Sequence, residues 1–533
     1  MFRKHILVFC GALVLAALCL LSPRVARADT VITNCSNDSQ LTSALASGGM
    51  VTFNCGTATI TFSGQKNINF NATIDGGGKI TISGGNSTRL FYVNAGKALT
   101  LNNLILTNGY SGGDYGGAIY VNGATLTLNR TTIQNSRTLG NFGGGAIVAP
   151  SSAVTINNSI LKNNSASVGG ALSATGTVNI SNSQFLDNTA RYNSGAVSLV
   201  ATALIQNSTF TGNRATEFGS TGGAIYVGGN VTIQDSTINE NEAGKGGGIF
   251  VADNTTLDVT RSTLNGNLAS DSGGGIYALD TFTLLNTTVS GNKATNHGGG
   301  ILLDGTGTGG IYFTLLNVTI AGNSAASYGG LDARTGSFSY SIKNTLVAKG
   351  AQGANCNVDL EASKFNLSDD GTCDIGNGRD SVVLHLGPLA YNGSSTKTHL
   401  LLAGSAALDN ATNSGAPATD QRGSPRPQGT AVDVGAVEIC TIKPDKPSLA
   451  SPLNNAKYKG TQVALDWDDA PCADKYKITL KDAATGTKVQ GGNSGTSDFK
   501  TKALVKGKTY TWFVQACNTI GCTKSDTWKF TVK

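Results

Sequence analysis

The sequence predicts an all-β protein, in which a right-handed parallel β-helix is followed by a small β-sandwich. Three observations predict this fold. The six residues GGAIYV occur at 116–121 and again at 222–227. Related segments recur every 24 to 30 residues between them and beyond. Glycine accounts for 70 of the 533 residues, whereas only 14% of residues are charged. Such a repeat, with short strands and variable loops, is typical of a solenoid in which each repeat forms one coil, and parallel crossovers are nearly always right-handed.

The chain begins with a predicted secretory signal peptide at residues 1–28. MFRKH is a short basic start, ILVFCGALVLAALCLL is an apolar run, and ARA before Asp29 fits a cleavage site. An uncleaved membrane anchor is the alternative, although 16 apolar residues are few for a bilayer span. No later segment is apolar enough to cross a bilayer, so we expect a secreted, extracellular or cell-surface protein.

Charge gives no indication of a nucleic-acid partner. Removal of the signal lowers the formal net charge from +6 to +2, because four of the 39 basic residues and none of the 33 acidic residues lie in it. The remaining sequence shows no dense basic stripe of the kind that nucleic-acid-binding proteins carry.

Residues 29–383 are predicted to form the β-helix together with an N-terminal cap. The stretch DSQLTSALAS (38–47) reads as a capped, short amphipathic helix that covers the open end of the first coil. Such a cover is needed because an exposed strand edge invites aggregation. We expect residues 384–440 to cover the opposite end.

Nine copies of the repeat align, and each carries two apolar positions that are predicted to point into the core. Apolar and polar residues alternate there, as in a strand with one buried face. The inward column of the first strand is Ile119, Ile147, Leu172, Val197, Ile225, Ile249, Ile276, Ile301 and Leu331. The inward column of the second strand is Leu128, Ile156, Ile180, Ile205, Ile233, Val259, Leu284, Leu315 and Ile342.

Two polar features of the repeat are predicted to be structural. The glycine pair before each first strand would occupy a corner with little room for side chains, at positive φ. Seven consecutive copies then read apolar-x-x-Asn-x-Ala, and an asparagine at a fixed corner can bond to its stacked neighbour and to the turn backbone. The predicted ladder consists of Asn164, Asn188, Asn213, Asn241, Asn267, Asn292 and Asn323.

Eight cysteines remain after signal cleavage, an even number that favours disulfides in an exported chain. Local spacing suggests the pairs Cys35–Cys55, Cys356–Cys373 and Cys517–Cys522, which leaves Cys440–Cys472. Other pairings remain open, since eight cysteines allow 105 of them. Metal binding is the alternative, but neither a CxxC pair nor a histidine cluster supports it, so we predict no metal and no cofactor.

The recurrent GGAI and FxxN motifs, the latter as FLDN (185–188) and FTGN (210–213), resemble the polymorphic outer-membrane-protein repeat of bacterial surface proteins. The resemblance covers roughly residues 100–350. It implies a pectin-lyase-like right-handed β-helix. Many such surface proteins end in a membrane barrel, and we expect none within these 533 residues.

Two further resemblances follow the repeat. In residues 384–442, TDQRGSPR followed by DVGAVE resembles the choice-of-anchor Q domain of exported bacterial proteins, which implies a segment that continues the β-helix. Residues 443–533 are similar to a fibronectin type III domain. There VALDWDDAP supplies the early-strand Trp467, and LVKGKTY (504–510) matches a tyrosine corner in which Tyr510 bonds back to the backbone.

The sequence gives little sign of catalysis, and we predict no catalytic residue. Glycosidases use two carboxyl groups roughly 5–10 Å apart, yet no outward strand column places carboxylates on adjacent coils. The loop acids Glu240, Glu242, Asp253 and Asp271 are interpreted as solvated turn residues. The pair Asp369–Asp370 is interpreted as part of a turn or as a calcium contact. The three histidines that follow the signal, His297, His385 and His399, are interpreted as isolated.

One outward column stands apart, because Tyr226, Phe250 and Tyr277 occupy it on consecutive coils. Aromatic rings at this spacing suit stacking against sugars, and the alternative is that they pack beneath a loop. The sequence therefore predicts a non-enzymatic surface protein that acts in adhesion or binds polysaccharide or another cell-surface glycan. The alternatives are a polysaccharide lyase or glycosidase with catalytic residues in loops, and a structural component of the cell envelope.

Overall fold

The computed structural model describes residues 29–533, apart from 307–310, 335, 337, 362, 363, 440, 441 and 519. The predicted signal at residues 1–28 lies outside the described residues. Within the described part, no helix is both long and apolar enough to cross a membrane.

Most of the chain forms a parallel β-helix whose coils stack in register. One strand per coil builds a 12-stranded parallel sheet, here called sheet 1. Its strands are Lys66–Ile68, Phe91–Val93, Ile119–Val121, Ile147–Ala149, Leu172–Ala174, Val197–Leu199, Ile225–Val227, Ile249–Val251, Ile276–Ala278, Ile301–Leu303, Tyr328–Ala333 and Ala354–Cys356.

Sheet 2 has 24 strands and receives a second and a third strand from each coil. The second strands are Thr125–Asn129, Ala153–Asn157, Thr177–Ser181, Thr202–Gln206, Asn230–Gln234, Thr256–Thr260, Thr281–Leu285, Ile311–Leu316 and Phe338–Lys343. The third strands are Thr132–Gln134, Ile160–Lys162, Gln184–Leu186, Thr209–Thr211, Thr237–Asn239, Thr263–Asn265, Thr288–Ser290, Thr319–Ala321, Leu346–Ala348 and Leu367–Ser368. The first coils contribute Thr30–Ile32, Gly49–Phe53, Ala58–Thr61, Ala72–Ser83 and Ala98–Thr107.

Sheet 3 closes the coil with eight short strands. These are Tyr110–Ser111, Arg137–Thr138, Ser165–Val168, Thr189–Asn193, Arg214–Ala215, Glu242–Lys245, Leu268–Ser272 and Lys293–Ala294. The outer surface of sheet 1 is called face 1, that of the second strands face 2, that of the third strands face 3 and that of sheet 3 face 4.

Both predicted inward columns are confirmed. Each residue of the first column pairs in register with the next, from Ile119 and Ile147 to Ile301 and Leu331, and the second column runs likewise to Ile342. All these residues are buried in one continuous apolar core. The repeat pattern alone does not distinguish the third strand of each coil from the fourth.

The two glycines of the repeated motif serve different needs. Gly222 has a φ of 67°, a backbone conformation that residues other than glycine rarely adopt. Gly223 lies so close to the next coil that a Cβ there would be 2.0 Å from the carbonyl oxygen of Gly247. Because every coil turns this corner in the same way, the motif recurs.

The seven asparagines form a continuous buried ladder. From Asn164 to Asn292, each side-chain amide donates from Nδ2 to Oδ1 of the asparagine on the next coil, at 2.8–3.0 Å. The backbone N–H of each donates to the same Oδ1, and Nδ2 also donates to a carbonyl of the preceding coil, as Asn241 does to Phe210. The ladder therefore satisfies buried polar groups that the corner would otherwise leave without partners.

The N-terminal cap is the predicted helix, Ser39–Ser47, whose Leu41 and Leu45 pack onto the core. The predicted disulfide Cys35–Cys55 pins it. The side chain of Asp38 does not cap this helix. Its carboxylate instead accepts from the backbone N–H of Ser63 at 2.8 Å and pairs with Lys66 at 2.6 Å.

The opposite end differs from expectation. Of the predicted cover at 384–440, the described residues 384–439 pack elsewhere. Val358, Leu360 and Ile375 complete the core at this end, next to the predicted disulfide Cys356–Cys373. The described residues 384–439, here called the lateral segment, lie instead along face 3 of the later coils. The reason is that outward positions of the third strands become apolar toward this end. Ala321, Leu346 and Leu367 pack there against Leu401, Ala407, Val432 and Val434.

Gln421 fastens the lateral segment to the β-helix. Its Oε1 accepts from the Thr288 hydroxyl at 2.6 Å, and its Nε2 donates to the carbonyl oxygen of Ser262 at 3.1 Å. The neighbouring Arg422 extends to the C-terminal sandwich, where its Nη1 lies 2.8 Å from Asp474. Two consecutive residues of the TDQRG motif thus join three parts of the chain.

The rest of that motif forms a buried ionic network. Asp420 accepts from the backbone N–H groups of Arg422 and Ser424 at 2.7 and 3.0 Å and from Glu438 at 2.9 Å. Arg426 pairs with Glu438 at 2.9 Å and donates to the carbonyl oxygens of Asp433 and Gly435. The residues of the TDQRG and DVGAVE motifs therefore have a structural role, since they form the buried hydrogen bonds and ion pairs of this segment.

This network makes stability depend on pH. It contains two guanidinium groups, those of Arg422 and Arg426, and four carboxyl groups, those of Asp420, Asp433, Glu438 and Asp474. Burial, followed by the nearby Glu438, raises the pKa of Asp433 to about 7, although two backbone N–H bonds oppose this.

Because the unfolded pKa of an aspartate is about 3.9, the folded state binds the extra proton between pH 4 and 7. We therefore expect the contribution of Asp433 to stability to fall as pH rises through this window, by at most about 4 kcal/mol. Urea titrations at several pH values should show this decline in the native protein and its loss in Asp433→Asn. Parallel pH profiles for the two proteins would contradict the prediction.

The C-terminal region is a small β-sandwich with its own core around Trp467, Tyr476 and Trp512. One sheet contains Leu449–Ser451, Ala464–Trp467 and Asp498–Lys500, and the other contains Ala456–Tyr458, Lys475–Asp482, Lys488–Ser494, Thr509–Cys517, Cys522–Lys524 and Trp528–Val532. The lateral segment itself contributes the short hairpin Ala390–Tyr391 and Lys397–Thr398, and a 3-10 turn forms at Gly371–Cys373.

Two sequence predictions are confirmed in the sandwich. The hydroxyl of Tyr510 accepts from the backbone N–H of Val505 at 2.9 Å, as the tyrosine corner requires. Cys517 and Cys522 form a disulfide. Cys472 is also disulfide-bonded, but its predicted partner Cys440 lies outside the described residues.

Candidate functional site

The predicted aromatic column lies on face 1. Tyr226, Phe250 and Tyr277 pair in register on consecutive coils. Their ring centroids are 5.6 and 5.3 Å apart, with planes inclined by 8° and 16°. The three rings therefore form one stack that runs along the helix axis.

This stacking determines what the column presents to a ligand. Phe250 is 7% and Tyr277 is 3% exposed, because each ring covers its neighbour and the buried Leu302 continues the column. Tyr226 is half-buried. On the other side of Tyr226, the column continues with the short side chain of Ser198. Of the three rings, Tyr226 is the most exposed.

A polar cluster continues face 1 beyond the stack. The hydroxyl of Tyr277 donates to the carboxylate of Asp304, and Lys245 Nζ lies 3.3 Å from the same hydroxyl. Burial, followed by the bond to Asp304, raises the pKa of Tyr277 above its ordinary value. The phenol therefore remains a neutral hydrogen-bond donor.

His297 is not isolated, and its interpretation as such is wrong. Its Nδ1 lies 3.1 Å from Oδ2 of Asp332, whose other oxygen accepts from Nδ2 of Asn357 at 2.9 Å. Asp332 is 1% exposed, and burial raises its pKa although the bond to His297 opposes this. With its imidazole 30% exposed, His297 directs one nitrogen at a buried carboxylate and leaves Nε2 for solvent or a ligand. This arrangement orients a histidine for proton transfer.

His385, His399 and the pair Asp369–Asp370 have structural partners. His399 bridges Ser290 and the carbonyl oxygen of Gly387, at 2.8 and 2.7 Å, and burial lowers its pKa. Asp370 accepts from the backbone N–H of Thr372 at 3.1 Å, and Asp369 accepts from that of Lys349 at 2.9 Å, so this pair stabilises a turn. Among the described residues no group of three or more His, Cys, Asp or Glu side chains is arranged to hold a metal ion.

Face 2 is a long, nearly uncharged surface. Its central outward column pairs in register from coil to coil and is half-buried or exposed throughout. It comprises Thr73, Thr100, Thr127, Thr155, Asn179, Leu204, Thr232, Asp258, Thr283, Thr314 and Ser341. The adjacent column contains amide ladders, such as Asn157 to Asn129 at 3.0 Å and Gln206 to Gln234 at 2.9 Å.

Comparisons with known proteins support the fold and are silent on activity. Residues 186–325 match a family model described as right-handed β-helix region. No curated protein matches the chain. A solved structure described as "Structure of FN3tt mut" is 20% identical, with a TM-score of 0.14, and the match covers 17% of this chain and 100% of that chain. The right-handed parallel β-helix predicted from the repeat is thus supported independently over the coils that carry the aromatic stack and His297.

Proposed function

We propose that this chain is a secreted or cell-surface protein that binds polysaccharide without cleaving it. The observation that carries the proposal is face 2, where hydroxyl and amide groups repeat at the interstrand spacing of about 4.8 Å. The lateral segment packs on face 3, and the central column of face 2 stays half-buried or exposed along its whole length. Many weak hydrogen bonds in register suit an extended, repetitive and neutral ligand such as a polysaccharide chain.

The aromatic stack supplies an apolar contact on face 1, whose strands directly precede those of face 2 in each coil. In the proposal, a sugar stacks on the outer face of the Tyr226 ring, while Phe250 stacks on its inner face and Tyr277 stacks on Phe250. Aromatic faces accept the C–H patches of sugar rings, and a ring that is already stacked loses little conformational entropy on binding.

The test is retention of the protein on insoluble neutral polysaccharides. We expect Tyr226→Ala, and separately Thr127→Lys with Thr155→Lys, to weaken retention by about tenfold, because the first removes a stacking face and the second places bulky charges in a neutral array. Thr511→Lys with Thr523→Lys on the sandwich is the matched control. Equal retention of all variants would contradict the proposal.

A second function, a polysaccharide lyase or glycosidase, is favoured by one observation, the oriented pair His297 and Asp332. The same incubations should therefore be assayed for new reducing ends and for the ultraviolet absorbance of unsaturated uronides. Product release that His297→Ala abolishes would establish this alternative and overturn the non-enzymatic proposal.

A further inference from the structure

A groove of about 560 Å³ lies on face 4, whereas the aromatic stack lies on face 1. Its lining includes Thr189, Arg214, Glu217, Phe218, Glu242 and Ser270. Thr189, Arg214 and Glu242 pair in register on consecutive coils, and Ser270 follows on the next. At an interstrand spacing of about 4.8 Å, the groove is therefore about 15 Å long, and its volume is that of an ordinary small-ligand site.

Phe218 stands fully exposed at the rim of this groove, with a relative exposure of 102%. The loop that carries it is tied down on both sides. The Glu217 N–H donates to the carbonyl oxygen of Arg191 at 2.8 Å, and the Ser220 hydroxyl donates to Ala215 and accepts from the Gly244 N–H, at 2.8 and 2.9 Å. These hydrogen bonds fix the backbone that carries the exposed ring. Binding of a ligand to the ring would therefore cost little conformational entropy of the loop.

The charged groups of the groove cancel one another. Arg214 forms an ion pair with Glu242, and Arg191 pairs with Glu217 at 3.1 Å. All four side chains are more than a third exposed, so their remaining donors and acceptors are accessible. Planar carboxylate and guanidinium groups can bond two neighbouring hydroxyls at once, whereas an anionic uronate would meet the carboxylates of Glu217 and Glu242.

We propose that this groove binds a neutral oligosaccharide, with one sugar ring stacked on Phe218 and its hydroxyls bonded to the Arg214–Glu242 pair. The inference rests on the proposed polysaccharide binding and adds a second site with a stated ligand class. In this arrangement face 2 holds the polymer along its length, and the groove binds a short stretch or a branch.

The test is calorimetric titration of the full protein with neutral hexasaccharides of glucose, mannose, galactose and xylose, and with an oligogalacturonate of the same length. We expect at least one neutral hexasaccharide to bind more tightly than the uronate. Phe218→Ala should weaken that binding by about tenfold, whereas Phe218→Tyr, which keeps the ring, should stay within about threefold. Tyr391→Ala, which removes another exposed aromatic ring, is the control and should have no effect.

Each other outcome overturns the inference. If the protein is retained on polysaccharide but no neutral hexasaccharide binds, or if binding is insensitive to Phe218→Ala, the groove is not the site and the proposed function stands. Preference for the uronate contradicts the neutral ligand class. If neither polysaccharide nor oligosaccharide binds, the proposed function fails together with the inference.

Discussion

Arg426→Ala is expected to lower the free energy of unfolding by about 3–5 kcal/mol, the usual cost of removing one partner from a buried ion pair. The Arg426 guanidinium is fully buried and pairs with Glu438, which is 1% exposed. Without it, the carboxyl groups of Glu438 and Asp433 would remain buried without their cation, and the carbonyl oxygens of Asp433 and Gly435 would each lose the hydrogen bond from Arg426. Urea titration followed by circular dichroism measures the loss.

Arg191→Ala is the matched control, because Arg191 pairs with Glu217 while both side chains are about half exposed. A pair of this kind contributes at most about 1 kcal/mol. Limited proteolysis should show that the lateral segment is the part cleaved in Arg426→Ala. A loss below about 1 kcal/mol, or cleavage elsewhere first, would mean that the network does not hold this segment to the β-helix.

Asn241→Ala is expected to cost about 3–4 kcal/mol, since it removes a central member of the asparagine ladder. The backbone N–H of Asn213 would lose its acceptor, Nδ2 of Asn213 would lose one of its acceptors, and the carbonyl oxygen of Phe210 would lose the hydrogen bond that Asn241 donates. Buried polar groups left without partners each cost about 1–3 kcal/mol, partly offset by local relaxation. The shift of the urea midpoint measures the effect.

Asn179→Ala is the control for the ladder, because Asn179 is exposed on face 2. A surface change of this kind lies within about 0.5 kcal/mol. If the two variants were equally stable, hydrogen bonding within the ladder could not be what holds the corner, and the recurrence of asparagine there would need another explanation.

The coil could be predicted from the sequence because its determinants are local. Alternation of apolar and polar residues identifies the strands, and a fixed period aligns Ile225 with Ile249 without any knowledge of the rest of the chain. The asparagine corner was predictable for the same reason. By contrast, the burial of Phe250 and Tyr277 was not, since it depends on rings on neighbouring coils covering one another.

The position of the lateral segment required information that periodicity does not contain. A repeat pattern says which way a side chain points, not which distant segment packs on it. The outward residues Leu346 and Ala348 of face 3 were the available signal, because polar residues such as Thr132 and Gln134 occupy the same positions on earlier coils.

The contact between His297 and Asp332 cannot be predicted from an alignment of the strands alone, because one of the two residues lies in a corner. His297 lies at the corner just before a first strand, whereas Asp332 lies within the first strand of the next coil. Aligning corner residues against the strand of the next coil would have placed the two side chains together. Pairs of this kind are 35 residues apart in sequence and one coil apart in space.

The in-register stacking of the coils also constrains how such a chain can change length over generations. Duplication or loss of one whole repeat, some 25 residues, keeps every strand, glycine corner and asparagine in step with its neighbours. A single-residue insertion within a strand instead moves the following core-facing side chains of that strand to the outer face and the outward ones into the core. Corner loops such as the one that bears Phe218 escape this rule, so lineages of this architecture should diversify in whole coils and in loop tips, while the strands between them stay of constant length.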